Sequence, residues 1–266
     1  MERPVRLATV SYLNTVPLIW GILKGEQRPL FSLDLAVPSV CSARLARGEA
    51  DLGIVPVAEV WRNRWDTVPG CGIACHGAVR TILLLSRKPW DQVRTLAADS
   101  GSRTSVLLSR VILARQFGVE PEIQPMTPEA GPMLDRADAA LLIGDAALRL
   151  DPARIEEQFG AQYLDLGQAW WDATGLPFVF ATWSGPKPQQ WPWLAEAFRA
   201  SLDYGFAHLD DMIAQESARL GFDAGLVRDY FTRYIQYKIG PEEQRGLDRF
   251  LTYAGEIEHS PQPVGQ

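Results

Sequence analysis

The stretch that decides the fold is Ser11-Tyr12-Leu13-Asn14-Thr15-Val16-Pro17-Leu18. Residues 5–10 before it are apolar enough for a short buried strand. Pro17 suits the first turn of a helix, where its missing N–H leaves no hydrogen bond unmade. The polar residues of the stretch therefore lie between a strand's carboxyl end and a helix N-terminus, where open parallel sheets bind ligands. The alternative is that Asn14 or Thr15 only caps the helix.

Strands and helices continue to alternate after this stretch. Residues 31–37 alternate apolar and polar side chains, as a half-buried strand does. A helix from Pro38 to Gly48 follows, and residues 51–55 form the next strand. Such βαβ units predict an α/β protein with mixed, mostly parallel sheets and flanking helices.

Two interruptions divide the predicted sheets into two lobes. Lys88-Pro89-Trp90 marks the crossing into a second lobe, and the apolar run at 176–183 returns to the first. The first lobe is predicted to contain residues 1–88 and 181–266, with a helical C-terminal region, and the second lobe residues 89–180. Two crossings predict a hinge and a central cleft, where a small ligand can bind.

Composition narrows the class of protein. The 266 residues are 47% hydrophobic and 22% charged, which suits a globular chain with a sizeable core. The net charge of −6 is spread without a basic block, which argues against a nucleic-acid surface. Three cysteines, an odd number, argue against a disulfide framework. We see no secretory leader or membrane-spanning run, so the sequence predicts a soluble cytoplasmic protein.

A second polar stretch is Asp99-Ser100-Gly101-Ser102-Arg103-Thr104-Ser105, between a predicted strand at 95–98 and a predicted helix at 102–117. Hydroxyls, a glycine and free backbone N–H groups at a helix N-terminus can bind a carboxylate or a phosphate. The predicted ligand contacts are Ser102, Arg103, Thr104 and Ser105. The alternative is an ordinary helix cap formed by Ser102 or Thr104.

Two residue pairs at predicted strand ends complete the candidate site. Arg80-Thr81 opens an apolar strand at 80–86, where a guanidinium can fork onto a carboxylate. The alternative is a solvated arginine at a strand end. Gly144-Asp145 follows a second-lobe strand and is expected to face the cleft. The alternative is that Asp145 only caps the helix that follows.

No metal site or nucleophilic triad is predicted. Cys71, Cys75 and His76 have Cys-x3-Cys-His spacing, one residue too long for haem attachment, and no second pair completes a zinc site. The three histidines are far apart in sequence, and a Gly-x-Ser-x-Gly elbow is missing. Chemistry alone predicts a two-lobed protein that can hold a small anionic ligand.

Four separated motifs together resemble the chorismate dehydratase family, which supplies the first enzyme of the futalosine route to menaquinone. They are residues 11–18, residues 80–86, residues 102–105 and Thr174-Gly175-Leu176-Pro177-Phe178-Val179-Phe180-Ala181-Thr182-Trp183. The resemblance implies a type II periplasmic-binding-protein-like fold in a cytoplasmic enzyme. It implies a hydro-lyase that removes water from chorismate to give 3-[(1-carboxyvinyl)oxy]benzoate, with no metal or organic cofactor.

Chorismate carries two carboxylates, and the resemblance implies donors for both. The helix start at 102–105 can hold one, and Arg80-Thr81 or Ser11-Tyr12 can hold the other. Elimination makes the ring aromatic, so the enzyme needs mainly to orient the substrate and assist one proton transfer. We expect a substrate carboxylate to accept the ring proton. Asn14 is expected to hold that carboxylate, or the departing hydroxyl, by hydrogen bonds. Asp145 is the reserve candidate for acid or base.

Two alternative functions stay open. A sister enzyme of the same pathway resembles this fold and acts on cyclic dehypoxanthine futalosine or a related nucleoside fragment. That family is expected to use a second-lobe histidine, and residues 90–180 contain none. The other alternative is a non-catalytic cytosolic binding protein for a small carboxylate. We expect no nucleic-acid or membrane partner, and a monomer or weak homodimer.

Overall fold

The computed structural model describes residues 3–36, 38–99 and 103–259. Its strands are β1 (Val5–Val10), β2 (Phe31–Ala36), β3 (Gly53–Pro56), β4 (Asp66–Cys75), β5 (Ile82–Ser86), β6 (Thr95–Ala98), β7 (Glu122–Pro125), β8 (Ala139–Ile143), β9 (Gln162–Asp165), β10 (Phe178–Gly185) and β11 (Gln236–Ile239). Its α-helices are α1 (Val16–Lys24), α2 (Pro38–Ala46), α3 (Val57–Asn63), α4 (Arg103–Phe117), α5 (Ala130–Arg136), α6 (Gly144–Leu148), α7 (Ile155–Phe159), α8 (Leu166–Thr174), α9 (Leu194–Ala207), α10 (Leu209–Leu220), α11 (Ala224–Asp229) and α12 (Pro241–His259). Within these ranges, we find no helix long and apolar enough to cross a membrane.

The first lobe is built on two sheets that continue into each other. β1 pairs with β2 in parallel, and β11, β4, β10 and β3 form an antiparallel sheet in that order. Leu7 forms a parallel bridge with Leu52, and the Ala8 N–H donates to the Leu52 carbonyl at 2.9 Å. β1 and β3 therefore run side by side, and the turns that follow them lie at one edge of the lobe.

The second lobe has one five-stranded mixed sheet in the order β7-β6-β8-β5-β9. β6 runs parallel to β7 and β8, whereas β5 runs antiparallel to β8 and β9. All five residues of β5 are buried, which explains why its sequence is a continuous apolar run and not an alternating one.

β5 belongs to the second lobe, which corrects the predicted position of the first crossing. The chain leaves the sheet of β4 after Cys75 and enters the second sheet at Ile82, so it crosses at residues 76–81 and not near 88. The return crossing lies at residues 175–177, between α8 and β10. Pro89, which suggested the crossing, instead precedes a short 3₁₀ turn after β5. Proline marks the end of a strand but does not tell which lobe follows.

The C-terminal region is mostly helical, as predicted, but a short strand interrupts it. α11 ends at Asp229, a π-helical turn follows over Tyr230–Tyr234, and β11 then adds to the edge of β4. The sequence of β11, Gln-Tyr-Lys-Ile, alternates polar and apolar side chains, which is the pattern of an edge strand.

Candidate functional site

A cleft that is partly open to solvent lies between the two lobes. Clefts between lobes are common places for small ligands to bind. The first lobe contributes Val10, Tyr12, Asn14, Ile54, Pro56, Ile73, Phe180 and Ala181. The first crossing and the second lobe contribute Val79, Thr81, Ile82, Arg103, Thr104, Ser105, Ile143 and Gly144. Most of these side chains are apolar, so the few polar groups determine where a charged ligand can sit.

Asn14 lies in a 3₁₀ turn, Leu13–Thr15, between β1 and α1. No side-chain capping hydrogen bond is formed by Tyr12 or Thr15, the two residues that precede these helical segments. Capping therefore does not account for the polar residues of this turn. The Asn14 side chain accepts a long hydrogen bond from the Thr15 hydroxyl at 3.4 Å. It also lies near the Tyr230 hydroxyl and acts to lower the pKa of that phenol, which burial raises overall.

Thr81 lies on the first crossing, directly before β5. Its side chain is buried, and its hydroxyl is 2.9 Å from the hydroxyl of Tyr230. Its backbone carbonyl accepts a hydrogen bond from the Gly144 N–H at 2.8 Å. Gly144 has a φ of 58°, a left-handed conformation that favours glycine, and its α-carbon faces the Tyr12 ring. These contacts bring Tyr12, Asn14, Thr81 and Gly144 together at one end of the cleft.

The N-terminus of α4 also lines the cleft, through Arg103, Thr104 and Ser105. Thr104 and Ser105 are buried, and the Thr104 hydroxyl accepts a hydrogen bond from the Ala58 N–H across the lobes at 3.2 Å. The Arg103 guanidinium forms an ion pair with the buried Glu59 at 2.8 Å. A helix of 15 residues presents the positive end of its dipole here, which suits a carboxylate. Ser102, predicted as a fourth contact, lies outside the described residues.

Arg80 does not share the cleft with Thr81, contrary to the predicted pairing. Its φ is 67°, and one guanidinium nitrogen donates to the Leu150 carbonyl at 3.0 Å. The side chain lines a separate groove that also contains Asp151 and Tyr163. The left-handed backbone at Arg80 and this hydrogen bond direct its side chain away from the cleft that Thr81 lines.

Ser11 and Asp145 also lie outside the residues that line the cleft. Ser11 is exposed. Burial raises the pKa of the Asp145 carboxyl above its ordinary value, and the nearby Leu13 N–H of the other lobe partly opposes this rise. Burial, with the charges of Asp99 and Asp145, likewise raises the pKa of Tyr12. Asp145 therefore lies next to the turn that carries Asn14 but does not line the cleft.

Two residues near the cleft were missed by sequence reasoning, Asp165 and Tyr230. The Asp165 carboxylate accepts hydrogen bonds from the N–H groups of Val79 and Arg80 on the crossing. It also accepts from Gly167 and Gln168 at the start of α8. An aspartate before a helix is a capping signal that could have located it. We find no such signal for Tyr230, because its position depends on a π-helical turn.

Other reactive groups lie away from the cleft. Burial raises the pKa of Cys41 and of Cys71 to about 11, and that of Cys75 further, so these thiols stay protonated near neutral pH. His76 contacts Glu243 at 2.6 Å and does not line the cleft. In the part of the chain that the structure describes, no three His, Cys, Asp or Glu residues are placed to hold a metal ion.

A sequence model of a family described as menaquinone biosynthesis matches residues 5–256. The chain belongs to this menaquinone biosynthesis family. A chorismate dehydratase from Thermus thermophilus is 28% identical over 271 residues, which cover 95% of this chain and 96% of that protein.

Solved structures show the fold of this family member. The protein AF1704 of Archaeoglobus fulgidus superposes with a TM-score of 0.74 at 15% identity, covering 97% of this chain and 98% of that one. The periplasmic aliphatic sulphonate binding protein SsuA of Escherichia coli superposes with a TM-score of 0.64 at 16% identity, covering 97% and 88%. The fold is therefore that of the periplasmic binding proteins, as the sequence resemblance implied.

Proposed function

We propose that this protein is a chorismate dehydratase, a hydro-lyase that converts chorismate to 3-[(1-carboxyvinyl)oxy]benzoate and water. The observation that carries the proposal is the polar pattern of the cleft. A helix start suited to an anion, a group of neutral hydrogen-bonding side chains and several apolar side chains line the same cleft. Membership in the menaquinone biosynthesis family and similarity to a chorismate dehydratase support the same activity.

The reaction requires few catalytic groups. A proton leaves the ring carbon that bears the enolpyruvyl ether, and the hydroxyl leaves the neighbouring carbon. The electron pair of the broken C–H bond completes the aromatic ring, and the proton and hydroxide depart as water. Since aromatisation drives the reaction, correct orientation and one proton acceptor are sufficient.

The residues of the cleft match these needs. The N-terminus of α4, with Arg103, Thr104 and Ser105, binds one carboxylate of chorismate. A carboxylate of the substrate itself accepts the ring proton, because we see no histidine or carboxylate side chain among the described residues that line the cleft. Asn14 donates hydrogen bonds that hold that carboxylate or the departing hydroxyl, with Thr81 beside it.

The apolar walls contribute to the rate as well as to binding. Ile54, Ile73 and Phe180 exclude water from the ring, which strengthens the hydrogen bonds from Asn14 and the helix dipole. Tyr12 can contact the second carboxylate through its hydroxyl. Its raised pKa keeps that hydroxyl protonated, and therefore a donor, near neutral pH.

The proposal is tested by incubating the purified protein separately with chorismate and with cyclic dehypoxanthine futalosine, followed by absorbance and mass spectrometry. We expect chorismate to give an aromatic product lighter by one water, and the nucleoside to remain unchanged. Conversion of the nucleoside alone would identify the sister enzyme. Binding of chorismate, measured by calorimetry, without any product would identify a binding protein, and either result would overturn the dehydratase proposal.

A further inference from the structure

Tyr230 is fully buried and reaches the cleft cluster from the C-terminal region of the chain. Its ring is 1% exposed, and its hydroxyl lies 2.9 Å from the Thr81 hydroxyl. The Asn14 side chain lies near the same hydroxyl and acts to lower the pKa of this phenol, which burial raises overall. One phenol therefore joins the two polar residues that the proposed reaction uses at this end of the cleft, without itself lining the cleft.

The position of Tyr230 depends on an irregular backbone. α11 ends at Asp229, and the next five residues form a π-helical turn in which the Ile235 N–H donates to the Tyr230 carbonyl at 3.2 Å. π-Helical turns are rare and frequently occur at functional sites, because the extra residue per turn redirects side chains. Here the turn directs the Tyr230 side chain inward, where its hydroxyl lies beside Thr81 and Asn14.

The Tyr230 and Thr81 hydroxyls lie 2.9 Å apart, and either one can be the donor. When Tyr230 donates, the Thr81 hydrogen is left for a ligand, because the only other contact of this hydroxyl is a long one, 3.4 Å, with the Val79 carbonyl. Chained hydrogen bonds of this kind strengthen one another in a buried setting.

We propose that Tyr230 is a positioning residue, which fixes the Asn14 amide and the Thr81 hydroxyl in the orientation that the substrate meets. This inference rests on the proposed dehydratase function. Tyr230 does not touch the substrate. It sets the orientation of two groups that do, so its loss affects the chemical step more than the binding of chorismate.

The chain offers a matched control in Tyr237. Tyr237 is also buried, at 4% exposed, but its hydroxyl has no hydrogen-bond partner among the described residues. Tyr230→Phe and Tyr237→Phe each remove one buried phenol oxygen, and only the first removes a link to Asn14 and Thr81. We expect Tyr230→Phe to lower kcat by roughly 10- to 100-fold with little change in KM, and Tyr237→Phe to match the wild type.

A double-mutant cycle with Asn14→Ala separates positioning from a general structural effect. If Tyr230 acts through Asn14, adding Tyr230→Phe to Asn14→Ala costs much less than Tyr230→Phe costs alone. Fully additive losses would overturn the proposal, as would a kcat for Tyr230→Phe equal to that of Tyr237→Phe. Absence of product with the wild-type protein would instead overturn the dehydratase function, so the two failures are distinguishable.

Thermal melting and circular dichroism establish that each variant is folded. If Tyr230→Phe melts far below the wild type, Thr81→Val is used in its place, because it removes the other partner of the same hydrogen bond while keeping the side-chain shape. The proposal then requires a comparable loss of kcat for Thr81→Val. An unchanged kcat for a folded Thr81→Val variant would overturn the proposal.

Discussion

Replacement of Asp165 by asparagine tests how the first crossing is held between the lobes. The Asp165 carboxylate accepts from Val79, Gly167 and Gln168 through Oδ1, at 3.0–3.2 Å. Oδ2 accepts from Val79 at 3.1 Å and from Arg80 at 2.7 Å. An asparagine has one acceptor oxygen, so it can keep the bonds to the start of α8 only by turning its NH₂ group toward the Arg80 N–H.

The expected cost follows from this loss. A partly buried N–H left without an acceptor costs about 1–3 kcal/mol. Burial raises the pKa of Asp165, which means that the charged carboxylate is disfavoured in the fold. Replacing it by a neutral amide removes this penalty and offsets part of the cost of the unpaired N–H. We therefore expect Asp165→Asn to destabilise the fold by about 2 kcal/mol, which lowers Tm by roughly 4–8 °C in a chain of this size.

The assay is thermal unfolding, with Asp172→Asn as the matched control. Asp172 lies in α8, the helix that follows Asp165. It is exposed and accepts one hydrogen bond from Gln168 at 2.7 Å, which an asparagine can keep. This control is expected to stay within about 0.5 kcal/mol of the wild type. If Asp165→Asn and Asp172→Asn melted at the same temperature, Asp165 would not hold the crossing.

Two further predictions concern packing and charge. Alanine at Gly246 would place its Cβ 2.0 Å from the Pro177 carbonyl oxygen, so Gly246→Ala should cost about 1–3 kcal/mol in urea unfolding. Gly131→Ala, with no atom within 4 Å of the added Cβ, should be neutral or stabilising, and equal stabilities would refute the packing argument. Burial alone would raise the pKa of Asp51, but hydrogen bonds from Arg3 and Arg6 outweigh it and depress that pKa well below its ordinary value. The stability from ionised Asp51 is therefore present near neutral pH and lost as pH falls below about 4, so the Tm gap between wild type and Asp51→Asn should shrink there. A gap that is independent of pH would contradict this assignment.

Local sequence signals predicted much of the fold because they act over a few residues. Pro17 lies in the first turn of α1, and helix α4 ends at Phe117, immediately before Gly118, as the pattern predicts. The lobe of β5 was assigned wrongly, because a buried apolar run carries no information about which sheet it joins. β11 was missed because four residues next to a helical segment give too short a pattern to distinguish.

The candidate site was predictable where it depends on helix starts, and unpredictable where it depends on side-chain direction. Asn14 lies in the turn between β1 and α1, and Thr104 lies at the start of α4, which is why both line the cleft. Arg80 turns away from the cleft because its backbone is left-handed and its N–H is held by Asp165. That carboxylate is 85 positions away in sequence. Contacts over such separations, including Tyr230 with Thr81, leave no local trace in a single sequence.

The most direct test of the central claim is the steady-state rate of Asn14→Ala with chorismate. If Asn14 orients the reacting groups in this cleft, we expect kcat to fall by about 100-fold, the usual effect of losing one well-placed donor, while the variant stays folded. Asn14→Asp should lose activity as well, because a carboxylate would repel the substrate carboxylate that takes the proton. Activity of both variants within a few-fold of the wild type would contradict the account.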